Sequence, residues 1–80
     1  MKLFGFLGEN GNSKLLEQVT LEIDAPELHK LSKFLLQCAE EIEDDAEWEH
    51  EHFSDYLGCV IEHDLVVYNS TRKMNKLGSE

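Results

Sequence analysis

Residues 24 to 45 constrain this chain more than any other stretch. Asp24-Ala25-Pro26-Glu27 is a helix opening. The Asp24 carboxylate can accept orphan backbone N–H groups, Pro26 suits a first turn that needs no N–H from it, and Glu27 can reach back in the manner of a capping box. Leu28, Leu31, Leu35, Cys38 and Ile42 then recur at helical spacing, with Phe34 and Ala39 widening the stripe. Lys30, Lys33, Gln37, Glu40 and Glu41 fall on the wet side, and His29 reads as an exposed helical residue. The spacing predicts one amphipathic helix that frays at Glu43-Asp44-Asp45, where three acids meet the negative end of the macrodipole. Eighty residues have room for a single core. The segments on either side of the helix must therefore share it.

Those segments read as strands. Met1 to Leu7 is apolar and aromatic, and the Gly8-Glu9-Asn10-Gly11-Asn12-Ser13 run after it is a dense turn signal, as in a strand entering a hairpin. From Leu15 to Asp24, Leu15, Val19, Leu21 and Ile23 alternate with Gln18, Thr20, Glu22 and Asp24, which predicts the return strand, although Glu17 breaks the pattern. Beyond the helix, Trp48 to Asp55 alternates strictly. Both imidazoles, His50 and His52, share one strand face with Trp48, and Glu47, Glu49 and Glu51 lie on the other. Ser54 to Gly58 reads as a turn or short irregular loop, and Cys59 to Tyr68 as a β-branched strand. The expected fold is α+β in ββαββ order: a four-stranded sheet in residues 1–69 with the helix packed on one face, then a loose tail over 70–80 that docks, if at all, through Met74 and Leu77. The other sheet face, with Phe4, Phe6 and the Trp48, His50 and His52 face available to it, is left as a homodimer contact or a partner-binding platform.

Composition narrows the functional classes. A formal charge of −10 opposes direct contact with nucleic acid or an anionic membrane and suits a basic protein partner, or simple solubility. Forty-one per cent hydrophobic residues with one proline argue for a folded globule. Cys38 and Cys59 have neither redox-motif nor metal-knuckle spacing, and no signal-peptide pattern precedes them, so both are expected to be reduced, buried thiols of a cytoplasmic protein. The apolar run Leu3 to Leu7 is too short to span a bilayer.

The histidine strand is where chemistry would lie. His50 and His52 would stand about 7 Å apart on one face, near enough to share a metal ion. A turn centred on Leu57 and Gly58 would bring His63 opposite His52 as a third ligand. The plainer reading is packed, hydrogen-bonded structure. Glu47, Glu49, Glu51 and Asp55 would need a cleft with differing environments to work as acid and base, and on an alternating strand they are more simply a solvated face. No nucleophile-base motif or phosphate-cradling glycine loop is present, so neither an enzyme nor a cofactor is expected. As an interaction surface, Trp48, Glu49, Glu51, Asp55 and Tyr56 would form an acidic, aromatic patch able to steer and anchor a basic partner, with Tyr68 a further aromatic anchor if exposed.

Leu16-Glu17-Gln18-Val19-Thr20-Leu21, Ala25 to Leu31, His50-Glu51-His52 with Phe53-Ser54-Asp55, and Asp64-Leu65-Val66-Val67 together resemble immunity protein family 32 of bacterial polymorphic toxin systems. The resemblance covers residues 15 to 69, with the histidine strand its most specific part. It implies a single-domain α+β protein that binds and neutralises a cognate toxin rather than catalysing a reaction. It assigns no toxin-contacting residue, and the spacing of Tyr56 to His63 departs from the pattern.

Overall fold

The computed structural model describes residues 1–8 and 11–71 of the chain. Along it run β1 (Leu3–Gly5), β2 (Lys14–Leu16), α1 (Ala25–Asp44), β3 (His50–His52), a short helix α2 (Phe53–Leu57) and β4 (Val66–Tyr68). The class is α+β, as expected. The strands, however, form two separate antiparallel ribbons, β1–β2 and β3–β4, where one four-stranded sheet was anticipated. Residues 72–80, most of the expected tail and including Met74 and Leu77, lie outside the described residues.

Helix α1 opens as its sequence specifies, but it runs through Glu43 to Asp44, where fraying was expected. Asp24 caps it by accepting from the Glu27 N–H at 3.0 Å. At the other end the Asp45 N–H still reaches the Glu41 carbonyl at 3.0 Å. There the Asp45 carboxylate accepts from the Glu47 N–H at 2.9 Å and bends the chain toward β3. Its buried seam is narrower than the apolar stripe: Leu31, Phe34 and Cys38 are buried, whereas Leu28 and Leu35 are about half exposed. Phe53 of α2 completes the core, and Ile23, Trp48, Tyr56, Leu57, Ile61, Leu65 and Val67 close around it. Phe34 is fully buried between two rings, its centroid 5.1 Å from Phe53 and 5.3 Å from Tyr56. Such tilted contacts add to area burial.

The strands are shorter than their alternation suggested, for local reasons. Gly11 lies so near Leu7 that a side chain there would stand 2.6 Å from the Leu7 nitrogen. Phe6 and Leu7 are out of the ladder, and among the described residues no strand pairs with residues 17–24, although they alternate. The histidine strand stops at His52 because Phe53 turns into the core and starts α2, which Gly58 ends in the left-handed region at φ 76°. With α2 and a loop filling residues 53–65, β4 begins late. His52 therefore pairs with Val66, not His63. Cys59 lies in this loop and is exposed, contrary to expectation, while Cys38 is buried; both are free. Burial, then the negative charges of Glu41 and Glu51, push the Cys38 thiol above its ordinary pKa.

Two outcomes are expected. A thiol reagent at mildly alkaline pH should modify Cys59 quickly and Cys38 only as the protein opens, because burial and a raised pKa both suppress its thiolate; mass spectrometry of partly labelled protein reads the order. Phe34→Ala should cost about 3–5 kcal/mol, a large share of the stability of so small a domain, and should bring Cys38 labelling close to the Cys59 rate.

Candidate functional site

The β3–β4 ribbon has two unlike faces. Glu51 pairs with Val67, which packs on the core, so this side looks toward α1. The alternation then sends His50, His52, Val66 and Tyr68 to the side that no helix of the described residues covers. On that open face His50 stacks on its cross-strand partner Tyr68, with centroids 4.7 Å apart and planes 20° from parallel. His52 meets His50 edge-on at 5.5 Å. The result is a row of three rings, with Tyr68 66% exposed at its end. His50 Nδ1 is enclosed without a hydrogen-bond partner, 3.5 Å from a Glu49 carboxylate oxygen. Protonation of the ring would turn that contact into an ion pair.

One end of the row is fastened by Asp64. Its Oδ1 accepts from the Ser54 N–H at 2.9 Å and the Leu65 N–H at 2.8 Å. Its Oδ2 accepts from the Ser54 hydroxyl at 2.7 Å and lies 3.1 Å from His52 Nδ1. Ser54 is the second residue of α2, so a carboxylate ten residues downstream does the work of an N-cap that His52, at the cap position, does not perform. Partial burial alone would raise the Asp64 pKa, but the hydrogen bonds from Ser54, Leu65 and His52 outweigh it and hold the carboxyl below its usual value. Serine, aspartate and histidine meet here, yet not as a nucleophilic relay: the hydroxyl donates to the carboxylate and not to the imidazole. A carboxylate held ionised by these bonds is also poorly matched to general-base work near neutrality. The cluster is a clamp joining β3, α2 and the loop before β4.

The residues expected to form a partner surface are separated by the fold. Glu49 and Asp55 are exposed. Trp48 instead turns toward α1 and packs on the core, its indole N–H donating to Glu41 at 2.8 Å, so it does not share the histidine face. Its carbonyl accepts from the Asn69 side-chain amide at 2.9 Å, and the Asn69 carboxamide oxygen takes the Thr71 N–H and hydroxyl. Tyr56 is half-buried against Phe34 and Phe53, and Glu51 lies on the core side of the ribbon. The exposed aromatic residue of this region is Tyr68.

The three histidines proposed as metal ligands are not gathered either. His63 stands in the loop with its side chain 89% exposed, 3.9 Å from Glu62 and outside the strand register that holds the other two. Among the described residues no three His, Cys, Asp or Glu side chains are placed to hold a metal ion. No described helix is long and apolar enough to cross a membrane.

The clamp has a consequence in acid. Because the folded pKa of Asp64 lies below its unfolded value, its stabilisation is complete above the unfolded carboxylate range, near pH 4, and is lost as the pH falls through the folded value. Asp64→Asn should cost about 1–2 kcal/mol at neutral pH. Urea unfolding from pH 7 to pH 2 should show the gap between wild type and variant closing only below about pH 4. A gap that does not change with pH would show that the charge of Asp64 contributes nothing.

Comparison of the chain with family models, with curated proteins and with solved structures gave no match.

Proposed function

We propose that the protein is a non-enzymatic cytoplasmic binding domain that engages a basic protein partner through the open face of the β3–β4 ribbon, and that this partner is a cognate toxin it neutralises. The observation that carries the reading is the ring row of His50, His52 and Tyr68, set on an uncovered sheet face in the most acidic part of the chain. Between Lys33 and Arg72 there is no lysine or arginine, and residues 40–64 contain eleven carboxylates. Lysine and arginine side chains of a partner are attracted both by such a field and by exposed ring faces. Tyr68 supplies the exposed aromatic anchor, while Glu49 and Asp55 supply rim charge that speeds encounter and excludes wrong partners. Trp48 and Tyr56 support this surface from behind by fixing the ribbon and α2 on α1. That the partner is a toxin follows from the resemblance to immunity protein family 32, which rests on the residues named for it.

The reading is tested by growth of cells producing a toxin encoded beside the gene, with and without this protein, and by calorimetry on the purified pair. Protection, with Tyr68→Ala weakening binding about 10- to 100-fold, is the expected result. Glu49→Gln with Asp55→Asn should mainly slow association and flatten its salt dependence. Full protection by all of these variants would rule this face out as the contact surface.

A further inference from the structure

Away from the ribbon face, α1 has a second apolar seam. Leu28, Leu35 and Leu36 are 48%, 44% and 60% exposed, beside the seam of Leu31, Phe34 and Cys38 that faces the core. The N-terminal arm has the same character. Phe4 and Leu15 are direct cross-strand partners and so stand side by side on one face of β1–β2, and both are more than half exposed. Phe6, beyond the ladder, and Val19 and Leu21, after β2, expose further apolar surface. No residue of β1 or β2 belongs to the described core or to the apolar side chains packed against it. A two-stranded ribbon by itself is at best marginally stable in water.

The exposure and the charge point to the same occupant. Phe4, Phe6, Leu15, Val19, Leu21, Leu28, Leu35 and Leu36 are each 44–66% exposed, together apolar surface on the order of the ~800 Å² that one partner gives to a standard interface. Two chains of charge −10 repel, but the charge is unevenly placed. In residues 1–39, Lys2, Lys14, Lys30 and Lys33 nearly balance five carboxylates, whereas residues 40–64 hold eleven with no lysine or arginine. The nearly neutral half is the half that bears the uncovered apolar surface. It can meet a second copy of itself without bringing the two acidic halves together.

We propose that the chain is a two-fold dimer in which the arm of each protomer lies over the Leu28, Leu35 and Leu36 seam of its partner. Such an exchange is isologous: the same two patches are covered twice by one symmetry operation. It leaves the His50, His52 and Tyr68 face open on both protomers.

Sedimentation equilibrium of the full chain should give twice the chain mass of 9.2 kDa. In a mixture of isotope-labelled and unlabelled chains, filtered NMR spectra should show Phe4 and Phe6 ring protons close to Leu35 and Leu36 methyls of the other chain. Leu36→Glu, at a position exposed in the single chain, should yield a folded monomer with unchanged helical circular dichroism, while Tyr68→Ala should remain dimeric. A wild-type monomer at the concentrations used for NMR would overturn the proposal. So would arm-to-seam contacts found only within one chain, which would mean that the arm closes on its own helix, or a Leu36→Glu variant that still dimerises. None of these results bears on the ribbon face, whose test uses other residues.

Discussion

Phe34 is the residue on which the rest of this structure depends. It is fully buried, and its ring touches Phe53 and Tyr56 of α2, so it joins the long helix to everything that follows it. With four buried hydrophobic side chains among the described residues, there is little redundancy if one contact is lost. Phe53 also occupies the junction between β3 and α2. The same contact therefore fills the core and decides where the histidine strand ends. Once that strand ends, α2 requires a cap, and Asp64 supplies it from the loop before β4. Core, clamp and strand register are one chain of dependence that begins with two phenylalanines.

The clamp in turn sets the ribbon register and so the ring row. Holding Asp64 against Ser54 places the Phe53 N–H on the Leu65 carbonyl at 2.8 Å, and His52 and His50 then fall opposite Val66 and Tyr68. A shift by one residue would turn Val67 outward and Tyr68 inward. Burial of Val67 opposes that shift from the other face. The proposed contact surface is thus held by interactions outside it, which is what a rigid recognition face requires.

Charge and apolar exposure are segregated along the chain. The half containing the arm and most of α1 is nearly neutral and leaves leucines and phenylalanines in water; the half containing the ribbon and α2 is strongly acidic and carries the ring row. Electrostatics favour like-with-like packing only for the first and attraction of basic groups only for the second. The division gives the small chain two surfaces that need not compete.

Sequence alone determined the elements whose signals are local. The Asp24 cap, Pro26 in the first turn and the spacing of Leu31, Phe34 and Cys38 fix α1 because each acts within one or two helical turns. The α+β class and the existence of a hairpin at residues 3–16 follow equally from neighbouring residues. Tertiary structure decided what depends on partners distant in the chain. Alternation could not say that Leu15 would face water, that Trp48 would leave the histidine face for Glu41, or that His63 would miss His52, since period two is the same for either face and any register. Nor could it reveal Asp64, whose hydrogen bonds to Ser54 cross ten residues without a local signature. Ser54 to Gly58, read as a turn or short irregular loop, is instead the body and left-handed end of α2. A helix forms there because ending the strand at His52 lets Phe53 be buried against Phe34.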